Sequence, residues 1–459
     1  MPKIFKKSIF LFCLAIAAEL LFLILVARHA GWSLSPYLNG NDTIEYTVLA
    51  KNLVLNHSYS KSSTAPFTPD FFRLPGYPFW LAFIYLIFGS LKPAIFLGMV
   101  IFAFSAPLMY LIMREVFSEK LAFWSALIFA VEPRMAFSAP FLLSEQIFFP
   151  LFLLSVFFAV QFFNYPEKKN YLFLSAILLG LSSLIRGIVL YLWLVFVVVF
   201  FIKLYKAYSL GKILKTLGLA TLVFILIIFP WFIRNKLVLN AWQFSSSSGL
   251  VIYWGHLEIL ERYLGAPQEL TYENLIKRAD SLAGPNLETV EAANILTAEA
   301  FKEIKSHLGL YLRIYFSNLP LFFITDGYRG IASYIINVKP NYFNLGDSLI
   351  RFRFGEFSEN IKKLSYGDLI LPIFGRMLWF VLTMLSFFGI FLSYKNMSQK
   401  RFPVAFFALL IFYFAILTGP IGFEPRYRIP VNGFIIAFAM VSVFHILKSD
   451  FKMDSPKKT

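Results

Sequence analysis

Residues 8–28 read SIFLFCLAIAAELLFLILVAR. A helix rises about 1.5 Å per residue, so a run of this length covers the ~30 Å hydrocarbon core of a bilayer. Lys3, Lys6 and Lys7 precede it. The stretch is too apolar for too long to be a signal peptide and lacks a small-residue cleavage site, so it reads as a signal anchor. Working outward, further apolar runs stand at about 76–90, 92–113, 121–138, 142–163, 171–187, 188–205, 213–232, 310–325, 370–394, 402–420 and 429–447. The 459 residues are 58% hydrophobic and 15% charged. Soluble domains sit near about 45–50% and about 25%. An ordinary cytosolic enzyme, a disordered chain and a disulfide scaffold are thereby excluded. The lone Cys13 cannot form an intrachain disulfide. The fold class is an all-α polytopic membrane protein.

Net charge is +16. The cations fall in short clusters between apolar runs, the placement of cytoplasmic loops rather than of a nucleic-acid-binding face. Lys3, Lys6 and Lys7, then Arg114 and Lys120, Lys168 and Lys169, Lys203 to Lys215, and Lys395 to Arg401 mark the inner side, as do Lys448 to Lys458 at the C-terminus. Both termini are expected inside, in the cytoplasmic (inner) membrane, and stretches 30–74 and 233–309 outside. Anionic lipid headgroups or an anionic lipid-linked substrate are the implied partners, with no nucleic acid.

The parity of crossings closes only if two runs do not span. The candidates are 76–90, which opens Pro75-Gly76-Tyr77-Pro78, and 310–325. Proline and glycine are tolerated at membrane depth where a broken segment lines a cavity. The expected organisation is a transmembrane module over 1–232 with first outer loop 30–74, a large outer loop over 233–309, and C-terminal helices with a cytoplasmic tail over 310–459. Between Val290 and Leu310, the spacing of Leu296, Ala300, Ile304 and Leu308 predicts a helix. It fits either an amphipathic helix on the membrane surface or a core-facing helix of a small outer domain.

Ionisable residues gather at the predicted outer ends of the spans. Asp42 and Glu45 follow Gly40-Asn41, with spacing that also suits a capping box at a helix start. Arg73-Leu74-Pro75-Gly76-Tyr77-Pro78 closes the same loop. Ser144-Glu145, Leu184-Ile185-Arg186-Gly187, Pro230-Trp231-Phe232-Ile233-Arg234-Asn235 and Glu424-Pro425-Arg426-Tyr427-Arg428-Ile429-Pro430 stand at other span ends. One such arginine alone reads as snorkelling to headgroups. Convergence on one face points to function, because intramembrane charge is costly. Glu132-Pro133-Arg134 reads as a simple ion pair. The five histidines His29, His57, His256, His307 and His445 lack metal-ligand spacing. No glycine-rich loop for a nucleotide sugar appears.

The order Asp-x-x-x-Tyr-x-x-x-Ala, Arg-x-Pro-Gly-Tyr-Pro, Ser-Glu, Arg-Gly, Pro-Trp-x-x-Arg-Asn and Glu-x-Arg-Tyr-Arg-x-Pro resembles the GT-C glycosyltransferases. It is most similar to the bacterial branch of aminoarabinose lipid A transferases and galacturonic acid transferases, with protein O-mannosyltransferases more distant. The resemblance implies a GT-C fold with about 10–13 membrane helices and two long outer loops carrying juxtamembrane helices. It implies a polyprenyl-phosphate sugar donor, an envelope acceptor (lipid A, core oligosaccharide, protein or another glycan), and chemistry on the outer face. The acidic catalytic role falls on Asp42. Many relatives carry Asp-Glu there; this chain has Asp42-Thr43, with Glu45 one helical step on.

Glycosyl transfer from a phosphate needs a base for the acceptor hydroxyl and cations at the departing phosphate. On that reading Arg73, Arg186, Arg234, Arg426 and Arg428 are the phosphate candidates, Arg73 and Arg426 first. Glu145 is the second catalytic candidate beside Asp42, orienting the acceptor or pairing with one of these arginines. Glu45, Tyr46, Tyr77, Asn235, His256, Glu424 and Tyr427 are the expected substrate contacts. His256, after Tyr253-Trp254-Gly255, reads equally as a surface histidine. The Phe-rich spans, with 56 Phe in the chain, could supply a prenyl groove or reflect only lipid-facing composition. No cofactor is expected to be obligatory; a divalent metal stays open as an alternative, though the sequence supplies no ligand set for one. The alternative is a lipid or glycolipid transporter or flippase, which usually shows internal repeats and deep intramembrane charges.

Overall fold

The computed structural model describes residues 3–265, 268–287, 289–336, 354–362, 366–397, 400–419 and 424–447, and these form helices without strands. In chain order they are α1 (Lys3–His29), α2 (Asn41–Leu55), α3 (Gly76–Phe88), α4 (Lys92–Ala103), α5 (Ser105–Arg114), α6 (Glu119–Ala130) and α7 (Pro133–Ser138). There follow α8 (Glu145–Asn164), α9 (Lys169–Ser183), α10 (Leu192–Leu204), α11 (Leu210–Leu239), α12 (Ser247–Val251), α13 (Glu258–Tyr263) and α14 (Gln268–Ala283). The last are α15 (Val290–Ser306), α16 (Leu308–Ile324), α17 (Tyr328–Ser333), α18 (Phe354–Lys362), α19 (Tyr366–Asn396), α20 (Arg401–Thr418) and α21 (Ile429–Ile446).

Among the described residues, eight segments are long and apolar enough to cross a membrane, α4 and α5 counting as one. That is fewer than the ten to thirteen expected, because four apolar runs form helices of 13, 12, 15 and 17 residues: α3, α6, α9 and α16. Of these, α3 and α16 are the two segments whose crossing the sequence already questions. The run at 121–138 does not form one helix. Glu132 precedes Pro133, which disfavours helical backbone at the residue before it. Glu132 is accordingly extended, and its carboxylate accepts Met135 N–H at 2.9 Å to cap α7.

The start of α1, the end of α21 and short basic loops meet at one end of the bundle. Lys7 pairs with Glu119 at 2.5 Å, and Lys120 lies 5.4 Å from the Phe444 ring near the end of α21. Asn164, at the end of α8, joins Glu115 at 3.1 Å to Lys400 at 2.9 Å. The cytoplasmic tail expected from Lys448 onward lies outside the described residues. Ring pairs tie the spans together, among them Phe196–Phe406 and Phe407–Phe434 at 4.8 Å and Phe152–Phe414 at 5.7 Å. Much of the phenylalanine is therefore core packing. Two helix pairs approach closely at glycine: Gly389 of α19 lies against the Phe438 backbone of α21, and Gly98 of α4 against the Gln146 amide of α8. Small residues let membrane helices pack at backbone distance, where dispersion replaces the hydrophobic drive.

Residues 247–306 build a separate small core. Leu250, Tyr253, Leu257, Leu260, Leu275, Ala279, Leu296, Ala300 and Ile304 pack together. Of the two readings of 290–310, the core-facing helix is the one realised, and Leu308 is half-exposed at the start of α16. Arg278 clamps this domain by pairing with Glu261 at 3.2 Å, Glu303 at 2.7 Å and Glu299.

Candidate active site

At the bundle end opposite the basic loops, α2 begins at Asn41 with Gly40 as its cap residue and no side-chain cap bond. Asp42 is therefore not spent on a capping box. Asp42 and Glu45 are three apart and share a helix face, while Thr43 and Tyr46 turn into the core. Thr43 Oγ1 donates to the Leu142 carbonyl at 3.2 Å and fixes the rotation of α2.

Both carboxylates reach one arginine. Arg73 donates Nη2 to Asp42 Oδ1 at 2.7 Å and Nε to Glu45 Oε2 at 2.6 Å. The other oxygen of Asp42 accepts Arg426 Nη1 at 2.8 Å, across 384 residues of sequence. Asp42 thus lies between two guanidiniums. Burial pushes its carboxyl pKa up, but the charges and hydrogen bonds of Arg426 and Arg73 together outweigh burial and hold it at about 2. Asp42 is ionised at physiological pH.

Arg73 is held from several sides. Its backbone N–H donates to Asp70 Oδ2 at 2.8 Å, and its guanidinium lies 4.8 Å from the rings of Tyr46 and Phe72. Tyr77 meets Tyr46 edge-on at 5.0 Å and donates its hydroxyl to Gln146 Oε1 at 2.8 Å. Gln146 Nε2 in turn donates to the Ala139 carbonyl at 2.7 Å. This row of contacts seats the Arg73 guanidinium on the core of the bundle. Lys61 lies 3.4 Å from Glu45 and 3.6 Å from Asp70. Beside this group, Glu145 at the start of α8 pairs with Arg186 from the extended turn after α9. Arg426, over the Tyr427 ring at 5.5 Å, also feels the Glu145 charge. Glu424 is mostly exposed and lies 3.9 Å from Arg134. Among the described residues, no group of three His, Cys, Asp or Glu side chains is arranged to hold a metal ion.

Residues 69–233 match the family model described as dolichyl-phosphate-mannose-protein mannosyltransferase. The Archaeoglobus fulgidus oligosaccharyltransferase in the apo form superposes with a TM-score of 0.50 at 15% identity, covering 96% of this chain and 51% of that one. This chain has the GT-C fold. It spans about half the length of the archaeal protein. The archaeal oligosaccharyltransferase AglB from the same organism, in complex with an inhibitory peptide and a dolichol-phosphate, gives a TM-score of 0.46 at 15% identity over 97% of this chain and 52% of that one. ArnT from Cupriavidus metallidurans bound to undecaprenyl phosphate gives 0.39 at 14% identity over 93% and 76%. No curated protein matches in sequence.

Within this GT-C chain the structure gathers Asp42, Glu45, Tyr46, Arg73, Tyr77, Glu145, Arg186, Glu424, Arg426 and Tyr427. It does not bring the other four residues to Asp42. Arg234 donates to the Asp70 carbonyl at 2.8 Å and lies over Tyr59 and Trp231, bracing the first outer loop. Asn235 is buried and donates to the carbonyls of Gln243 at 2.9 Å and Phe244 at 3.2 Å, fixing the exit from α11. Arg428 is 1% exposed. It binds Asn432 at 2.9 Å and the carbonyls of Phe322 at 3.0 Å and Phe323, and stacks 3.6 Å from the Trp379 ring. His256 does not reach Asp42 and is half-buried rather than on the open surface. It belongs to the outer domain, bonds Tyr311 Oη at 2.6 Å, and is held by burial at a pKa of about 4. The expected Glu132–Arg134 pair is replaced by a Glu132–Tyr328 hydrogen bond of 3.2 Å and the Arg134–Glu424 contact. Lys61, Asp70 and Gln146 carry no motif, and only their place in or beside the outer loop could have marked them.

Proposed function

We propose that this protein transfers a sugar from a polyprenyl (undecaprenyl-type) phosphate to an envelope acceptor on the outer face of the cytoplasmic membrane. The acceptor classes are lipid A, core oligosaccharide, protein or another glycan. The observation that carries the reading is the ionised Asp42 between Arg73 and Arg426, at the end of a GT-C bundle away from its basic loops. The family model matched by 69–233 names a lipid-phosphate-linked mannose as donor, which supports the donor class.

In this reaction the acceptor oxygen attacks the anomeric carbon, the bond from that carbon to the phosphate oxygen breaks, and its electrons leave with the polyprenyl phosphate. Asp42 takes the proton from the acceptor hydroxyl. At a pKa of about 2 it is a poor base while both arginines hold it. A donor phosphate that draws Arg426 toward itself removes one counter-ion and raises Asp42's proton affinity when it is needed. The same arginine meets the negative charge that grows on the leaving group. Arg73 keeps Asp42 and Glu45 in place, and the Glu145–Arg186 pair fixes the far wall. The scheme is written with the carboxylate of Asp42 and the guanidiniums around it and invokes no metal.

The test is mass spectrometry of envelope glycolipids and glycans from cells with and without the protein. The proposal expects one sugar mass to disappear from one acceptor class when the protein is removed. Identical profiles under conditions where the protein is produced would contradict it.

A further inference from the structure

The cations around Asp42 are unequally employed. Arg73 spends Nε on Glu45 and Nη2 on Asp42, and Arg186 is paired with Glu145. Arg426 gives Nη1 to Asp42, but its Nε is buried without a hydrogen-bond partner. Arg134 is less employed still. Its nearest carboxylate is Glu424 at 3.9 Å, beyond hydrogen-bond range, and that carboxylate is 57% exposed. Its own Nε is also buried without a partner.

Arg134 and Arg426 lie close enough for their charges to act on one another. Carboxylates partly offset both charges, Asp42 for Arg426 and Glu424 for Arg134, but each guanidinium keeps one buried donor unmet, which is costly until a ligand supplies an acceptor. Their placement is built by three segments. Pro133 and the Glu132 cap start α7 and set Arg134 at its first turn. Gly327, at φ +72°, passes against Pro425, where a Cβ would stand 2.8 Å from Pro425 Cγ and 3.7 Å from Arg134 Nη1. Any other residue at 327 would be strained at that φ and would press on Pro425 at the start of the Pro425–Arg428 turn, while only touching the Arg134 guanidinium.

We propose that Arg134 and Arg426 together form the seat for the phosphate of the lipid carrier, with Arg134 a substrate-binding residue that no sequence motif marks. This rests on the polyprenyl-phosphate reading above and deepens it. Arg73 and Arg186 become positioning residues for carboxylates rather than phosphate ligands. Arginine suits the task because its planar fork meets two phosphate oxygens at once.

The experiment is binding of farnesyl phosphate to the purified full-length protein in detergent, by calorimetry, with farnesol as the uncharged control. Arg134→Gln should weaken farnesyl phosphate roughly 10- to 100-fold, as loss of a charged hydrogen bond does, and leave farnesol unaffected. The second phosphate proton leaves near pH ~6, so wild-type binding should tighten from pH 5.5 to 7.5, and Arg134→Gln should lose most of that gain. A merely structural role would not flatten the pH dependence. Where Arg134→Gln fails to fold, Arg134→Lys decides: it keeps the charge without the fork and should bind at least several-fold more weakly. Wild-type affinity and pH dependence in the Arg134 variants, with binding lost in Arg426→Gln, would overturn the seat and leave the donor reading standing. Wild-type protein that binds farnesol as well as farnesyl phosphate would overturn both.

Discussion

Asp42 shows how one residue's chemistry depends on its partners. An isolated carboxylate on α2 would cap or solvate; held between Arg73 and Arg426 it is a half-buried anion with its pKa at about 2. The stabilising contribution of this pairing is fully present above the unfolded carboxylate's ordinary value and is lost only as pH falls toward 2. Asp42 therefore does not titrate in the free protein near neutrality. His256 behaves differently. Burial holds it neutral with a pKa of about 4, against an ordinary 6.5. Between these values the unfolded state binds more protons, so the outer domain loses stability as pH falls from 6.5 to 4. The loss over that range is on the order of 3 kcal/mol. Limited proteolysis at pH 7.5 and 5 should show residues 247–306 becoming more susceptible in the wild type. In His256→Gln that change should largely vanish. Equal pH sensitivity in both would assign it to other groups.

At the scale of elements, the apolar runs in the sequence locate most helices because a bilayer demands a minimum apolar length. The same criterion is blind to a break that leaves apolarity unchanged. Residues 121–138 stay apolar on both sides of Glu132-Pro133-Arg134, yet the proline and the capping carboxylate split them. The signal was that charged triplet, read as an ion pair. Close helix approach is equally invisible to hydropathy. Gly389 against the Phe438 backbone has no room for a side chain. Gly389→Val should force α19 from α21 at a cost of about 1–3 kcal/mol, read as a lower thermal midpoint in detergent. Gly218→Val on exposed α11, where a Cβ meets nothing within 4 Å, is the control and should leave the midpoint nearly unchanged. Equal effects would mean that α19 and α21 do not pack at this glycine.

Across the whole molecule, sidedness follows from where charges collect. Lys7, Lys120 and Lys400 meet at one end, and Asp42, Arg73, Glu145, Arg186 and Arg426 at the other. The members of the second group were legible as ionisable residues at span ends. Their pairing was not, since partners such as Asp42 and Arg426 are 384 residues apart and only the bundle topology joins them. Arg234 and Arg428 carry the same surface signal as Arg426, and packing alone shows that they brace rather than face the cluster. Which end faces out is tested in a Cys13→Ser background with single substitutions Asn56→Cys, Ser281→Cys, Ser209→Cys and Asn396→Cys. All four positions are exposed. An impermeant thiol reagent applied to intact cells, or to spheroplasts, should label the first two and not the last two. The reverse pattern would place the Asp42 cluster inside and remove the outer-face reaction.

The central claim is that Asp42 acts as the base in sugar transfer from a lipid phosphate. The most direct measurement is release of free polyprenyl phosphate from a sugar-linked donor by purified Asp42→Asn beside wild type, in the presence of the acceptor class found by mass spectrometry. Asparagine keeps the shape and hydrogen-bonding reach of the side chain and removes the charge and the proton-accepting oxygen. The account predicts folded Asp42→Asn that still binds farnesyl phosphate and transfers at least about 100-fold more slowly, the scale of a lost general base. Wild-type turnover in Asp42→Asn would contradict it.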